Sequence, residues 1–171
     1  MRISAKTDYA VRAAIELAGA ADQAPISAER IATTHAIPLK LLEHILTELR
    51  SAGLVHGVRG PQARYQLARG PAQITVADVI RAVEGPLASV RGAKPEDARY
   101  PGEAGQLPRV WIAVRKNLRN VLEHVTIADL ANASLPTSIS ELADDPDAWL
   151  TRNKPDATDT ITIDRSHRSR P

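Results

Sequence analysis

The chain contains no cysteine and no phenylalanine, and its 171 residues include only three tyrosines and two tryptophans. The first absence excludes disulfides, thiolate zinc sites, cysteine nucleophiles and iron–sulfur clusters held by cysteine. The scarcity of aromatics leaves a core that must be built from aliphatic side chains. No run of about 18 apolar residues occurs, and Arg2 and Lys6 interrupt the N-terminus before any apolar stretch. Neither a membrane span nor a secretory leader is therefore expected, and the reading is cytoplasmic. A dominant charge sign is also lacking: 22 Lys and Arg stand against 20 Asp and Glu, a formal net charge of +2. That balance permits a nucleic-acid partner without requiring one, so the placement of charge has to decide. There is no Gly-x-Ser-x-Gly elbow, Walker glycine loop, dinucleotide fingerprint or HExxH pair, and no enzymatic activity is expected.

The length suits one core with an appendage, and the chain divides into segments 1–70, 71–133 and 134–171. The first reads as helix, helix, helix, hairpin. Asp8 to Ala20 is an Ala-rich helix with Asp8, Arg12 and Glu16 four apart on a surface stripe. Ser27 caps a short helix through Ala32, and Pro38 is placed at the first position of a third. In that third helix Leu42, Ile45, Leu46 and Leu49 recur at 3–4 spacing, leaving Lys40, Glu43, His44, Thr47 and Ser51 on the opposite face, and Gly53 closes it. The pattern then changes to alternation: Leu54 to Arg59, a turn at Gly60-Pro61-Gln62-Ala63, and Arg64 to Ala68 predict a two-stranded hairpin whose Tyr65 and Leu67 lean on the helices.

Two later helix starts have capping-box spacing, Thr75-x-x-Asp78 and Thr126-x-x-Asp129. Between them lie a proline- and glycine-rich loop, Gly85 to Gly105, and a helix whose Leu107, Val110, Trp111, Val114, Leu118, Val121, Leu122 and Val125 keep the spacing of a packing seam. A seam of that length on a small chain requires a partner, and a second copy is the simplest one, so a homodimer is expected. After residue 133 the prolines and the acidic patch Asp144-Asp145-Pro146-Asp147 predict a largely disordered tail, with room for a short helix between Ile139 and Leu150.

The predicted fold class is mainly α with a small β-hairpin wing, a winged helix-turn-helix followed by a long dimerisation helix. A helix about 10–12 Å wide fits a B-DNA major groove about 12 Å wide, with its polar face toward base edges. Lys40 could donate to guanine, Glu43 could accept from the cytosine amino group, and His44 could do either; Thr47 completes the face. Arg59, Gln62 and Arg64 belong to the hairpin and its turn, where arginines take phosphates or enter a minor groove. His44 and Glu48, four residues apart, read as a surface pair and not as metal ligands, so no metal site is expected.

The stretches 1–13, 37–55, Val58-Arg59-Gly60-Pro61 with Tyr65 and Leu67, and 74–85 resemble the Rrf-two (IscR- and NsrR-like) family of bacterial transcription regulators. The resemblance covers residues 1 to about 133. It implies a dimer joined by crossed long helices, each copy placing recognition helix and wing on half of a roughly palindromic DNA operator, with repression as the more common outcome. Two departures stand out. Relatives that hold a cluster supply three cysteines from the loop before the long helix, and residues 90–106 supply none, so this is a cysteine-free member. Where the family commonly has a glycine pair before the wing tyrosine, this chain has Ala63-Arg64, a stiffer and more cationic turn. Asp8, where some relatives draw an acidic ligand, reads here as a surface or cap residue. A winged-helix protein-interaction module that binds a metabolic enzyme or another regulator is the alternative. An effector pocket lined by Tyr100, Trp111, Arg91, Lys94, Arg99 and Arg109 is a further possibility, although Trp111 reads first as core or interface.

Overall fold

The computed structural model describes residues 2–21, 24–58 and 63–151. Helix α1 (Ala5–Gly19) starts three residues before the expected Asp8, because the Ser4 hydroxyl accepts from the Thr7 N–H at 3.0 Å and closes the first turn. A two-residue strand β1 (Ile26–Ser27) leads into α2 (Ala28–His35), whose N-cap is Ser27 as the sequence predicts and whose left-handed C-cap, Ala36, turns the chain toward α3 (Leu39–Ser51). Pro38 has extended backbone (φ −56°, ψ 122°) and caps α3 from outside instead of forming its first residue. Ala52 and Gly53 end the helix, Gly53 at φ +70°, a region open to glycine at little cost.

Strands β2 (Val55–Val58) and β3 (Arg64–Leu67) pair antiparallel, with Val55 opposite Leu67 and Val58 opposite Arg64. The sheet has three strands and not the expected two. Ile26 and Ser27 add to the other edge of β3, opposite Tyr65 and Arg64, in the order β1-β3-β2. A bare hairpin is marginal in water; here β1 ties it to the base of α2, while Tyr65 and Leu67 pack against the core as predicted.

Helices α4 (Val76–Glu84) and α6 (Ile127–Ala131) both start with the predicted capping boxes. In each, the threonine N–H donates to the aspartate carboxylate and the aspartate N–H donates back to the threonine hydroxyl. The two boxes lie side by side: Val76 N–H donates to the Val125 carbonyl and Ile127 N–H to the Ile74 carbonyl, both at 2.9 Å. The core is continuous across the expected boundary at residue 70. Ile74, Val79, Val83 and Ile127 join Leu17, Ile31, Leu42, Ile45, Leu46 and Leu49 in one aliphatic cluster, with α1 at its centre.

The Asp129 carboxyl is held below its ordinary value of 3.8, first by the Thr126 backbone N–H and then by the Thr126 hydroxyl. Because the folded value is depressed, this stabilisation is complete above the unfolded value and fades as pH falls through the folded one. Asp129→Asn is expected to lower the thermal midpoint at neutral pH, with the gap to wild type closing below about pH 4; melting curves across that range check it.

Helix α5 (Leu107–Leu122) stands apart from this core, and none of its residues is buried within the single chain. Val125 is a correction to the predicted seam. The helix ends at Leu122, and Val125 is buried in the polypeptide's own body, where its carbonyl serves Val76. Of the tail predicted beyond residue 133, residues 152–171 lie outside the described residues, and the described part holds α7 (Thr137–Asp144), which starts earlier than the 139–150 window, and a 3-10 turn over Pro146–Trp149. Ile139 docks that helix, and the Trp149 indole N–H donates to the Ala143 carbonyl. Among the described residues no helix is long and apolar enough to cross a membrane.

Candidate nucleic-acid interface

Helix α3 is seated by Leu42, Ile45, Leu46 and Leu49, each at 0% exposure, so its azimuth about its own axis is fixed by packing. Thirteen residues at about 1.5 Å per residue make a rod of roughly 20 Å. The face this leaves outward carries Lys40, Glu43, His44 and Thr47, all exposed. Sequence and structure agree on that face; they differ on how free its members are. The Lys40 ammonium and the Glu43 carboxylate make no hydrogen bond or ion pair among the described residues. Thr47 donates its hydroxyl proton to the Glu43 carbonyl at 2.9 Å, which leaves the oxygen's lone pairs as its outward function.

His44 is not a free reader. Its Nε2 lies 3.2 Å from Glu48 Oε1, and Lys6 Nζ reaches the same oxygen at 2.8 Å while donating to the Val83 carbonyl at 2.7 Å. Glu48 Oε2 is buried without a hydrogen-bond partner among the described residues, so Oε1 alone faces both the Lys6 ammonium and the His44 imidazole. Sequence spacing gave the His44–Glu48 pair; Lys6, 42 residues away from Glu48, carried no local signal. Through Lys6 the outer face of α3 is tied to the C-terminal turn of α4. That turn is in turn fixed to the N-terminus of α1, because the Glu84 carboxylate accepts from the Ser4 and Thr7 hydroxyls.

At the wing, Arg64 opens β3 with its guanidinium donating to the Pro25 carbonyl at 3.2 Å. It shares a small cleft with Arg30 and Ser27 at the start of α2. Arg30 also stands 3.8 Å from Glu16, and the Glu29 carboxylate accepts from its own backbone N–H and the Ser27 hydroxyl at this end of α2, so the corner offers a phosphate its two guanidinium groups and not the helix terminus. Arg30 was missed by sequence reasoning, although its place three residues after the Ser27 cap was a usable signal. Arg59 and Gln62 lie outside the described residues.

The proposed effector residues do not form one pocket. Arg91, Tyr100 and Trp111 line a cleft of 390 Å³, with the Arg91 guanidinium over the Tyr100 ring at 5.4 Å and the Trp111 indole N–H buried without a partner among the described residues. Lys94 faces a different cleft, Arg99 donates to the Glu96 and Ala98 carbonyls, and Arg109 lines neither.

The family model Rrf2, described as an iron-dependent transcriptional regulator, matches residues 3–133. A protein of Mycobacterium tuberculosis (strain H37Rv) named as an HTH-type transcriptional regulator is 45% identical over 145 residues, covering 85% of this chain and 90% of that one. The HTH-type transcriptional regulator CymR of Bacillus subtilis is 36% identical over 132 residues, 77% of this chain and 91% of the relative. Among solved structures, CymR, the global cysteine regulator of B. subtilis, aligns with a TM-score of 0.66 at 34% identity over 78% of this chain and 98% of that one. IscR of T. potens aligns with a TM-score of 0.61 at 31% identity over 90% and 94%.

The family description names iron, and the side chains here do not fit such a centre. Cysteine is absent from the sequence, and among the described residues no group of three or more His, Asp or Glu is placed to hold a metal ion. The pair His44 and Glu48 has a lysine ammonium as its third member, a cation where a ligand would be needed.

Proposed function

Because the chain belongs to the Rrf2 family of transcriptional regulators, we propose that it acts as a homodimeric repressor without a cysteine-held cluster, reading a roughly palindromic DNA operator. In this reading α3 of each copy lies in a major groove. Lys40, Glu43 and Thr47 meet base edges, His44 does so in the orientation Glu48 gives it, and Arg30 and Arg64 take phosphates beside the groove, with Arg59 and Gln62 of the wing turn as further contacts. The observation that carries it is the seating of α3: four fully buried aliphatic residues on one side, and four exposed polar side chains on the other.

Dimerisation is supported by α5. Leu107, Val110, Trp111, Val114, Leu118, Val121 and Leu122 share one stripe, Val110 is 51% exposed, and an apolar groove of 380 Å³ runs between Val114 and Leu122. Leaving such surface in water costs about 25 cal/mol per Å², and a second copy presents the matching stripe by symmetry.

Selection of bound fragments from a random DNA pool, at two salt concentrations, tests the proposal. One inverted repeat is expected, and Glu43→Ala is expected to change its sequence more than the overall affinity. Arg30→Ala and Arg64→Ala are expected to weaken all sequences alike and each to lower the salt slope by about 1. Absence of any enriched sequence from a verified dimer, with salt-insensitive capture of a protein instead, would favour the protein-interaction alternative.

A further inference from the structure

A cleft of 620 Å³ lies between the C-terminal half of α4, the 85–96 loop and α5. Cations enter it from all three sides: Arg81 from α4, Lys94 from the loop, and Arg115 and Arg119 from α5. The carboxylates within reach are fewer. Glu96 pairs with Arg115 at 2.7 Å, Glu123 serves both Arg81 and Arg119, and Asp78 stands 3.8 Å from Arg81. Lys94 makes no ion pair among the described residues, so four cations face three carboxylates and one positive charge is left over. Glu96 is held below the ordinary carboxylate value first by its own backbone N–H, then by Arg115 and, as the last contribution, by the charge of Lys94, and Glu123 first by Arg81; Lys94 thus adds its positive charge beside carboxylates that Arg115 and Arg81 already pair.

The Arg115 side chain is only 17% exposed, so its charge acts where water screens it poorly. Leu87 and Pro95, both buried, give the cleft an apolar part of its lining. The loop is held in an unusual path, with Gly85 and Gly92 but also Ala88 and Arg91 at positive φ, a conformation that non-glycine residues seldom adopt. The volume is in the range of small-molecule sites, about 300–1,000 Å³.

We propose that this cleft binds a small organic anion, a carboxylate or phosphate ester, and that its occupancy is felt at α3. Arg81 lines the cleft from the same helix whose Val83 carbonyl holds Lys6, and Lys6 holds Glu48 against His44. A shift of α4 toward a bound anion therefore pulls on the contact that orients His44. Only this regulatory consequence rests on the DNA-binding reading; anion binding is independent of it.

Isothermal titration of the full chain without DNA uses citrate and glycerol 3-phosphate as probes and glycerol as the neutral control, at matched ionic strength. Saturable binding of at least one anion and none of glycerol is expected, and which probe binds separates the carboxylate from the phosphate source. Lys94→Glu, on an exposed side chain with no ion pair, is expected to keep the fold by circular dichroism and weaken binding by about tenfold or more, the loss of one charge-assisted contact. Arg115→Gln is expected to do the same and serves as the second variant. Failure of both anions to bind, or equal binding by wild type and Lys94→Glu, overturns the site. With the selected DNA, saturating anion is expected to shift affinity several-fold; unchanged affinity overturns the link to α3. Loss of DNA binding under every condition would count against the regulator reading, with the titration unaffected.

Discussion

Leu118→Glu is expected to leave the single chain folded while converting the dimer to monomers and abolishing high-affinity operator binding. Leu118 sits in the middle of the α5 stripe, and no residue of α5 is buried by its own chain, so the substitution removes little from the intramolecular core. In the proposed dimer the same change would place two carboxylates in an apolar interface, and burying an unpaired charge costs several kcal/mol for each. Binding to two half-sites at once adds about 10²–10⁴ to affinity over one half-site, and that factor disappears with the dimer. Light scattering on a sizing column, a thermal melt and DNA anisotropy together check this. A monomeric wild type, or a Leu118→Glu dimer with unchanged DNA affinity, would remove α5 from the assembly.

The second large effect is expected on stability. Leu46 is fully buried beneath the outer face of α3. Leu46→Ala deletes that packing and leaves a cavity, a change that costs about 2–5 kcal/mol where the surroundings collapse only partly. Against a typical folding free energy of about 5–15 kcal/mol this is a large fraction, and the thermal midpoint is expected to fall by about 2–4 °C for each kcal/mol. Leu142→Ala, at a position 58% exposed on α7, is the control and is expected to stay within about 0.5 kcal/mol of wild type. Urea unfolding of the three proteins compares them directly. If Leu46→Ala proved neutral, α3 would not be seated as described, and the assignment of its outer face to DNA would lose its basis.

These two residues illustrate how differently the two halves of the molecule were encoded. The role of Leu46 is periodic: a 3–4 spacing of aliphatics in a 13-residue helix has one inside, and the polar side chains on its other face are then outside. Leu118 has the same spacing, yet periodicity cannot say whether a stripe is buried by its own chain or left for another. Val125 shows the limit. It continues the spacing in sequence, but α5 ends at Leu122, and the residue turns into the joint between the two capping boxes. The effector grouping failed for a related reason. Six residues near one another in sequence were divided by the path of the chain: the 3-10 turn over Pro95–Asp97 lies between Lys94, which lines one cleft, and Tyr100, which lines another.

The sequence by itself determined what depends on neighbours within about a turn: the Ser27 cap, both Thr-x-x-Asp boxes, the close of α3 at Gly53, the outward set Lys40, Glu43, His44 and Thr47, and the exclusion of cysteine ligation. Those features are short-range hydrogen bonds, backbone preferences and helical phase, all written in adjacent residues. Only the tertiary structure decided that Ile26 and Ser27 would add a third strand, that Lys6 would hold Glu48 against His44, and that Arg81, Lys94, Arg115 and Arg119 would share one cleft. Each of these joins groups brought together by burial of the common aliphatic core, and burial is non-directional; it fixes which elements meet without leaving a mark on the spacing of the polar residues that meet there.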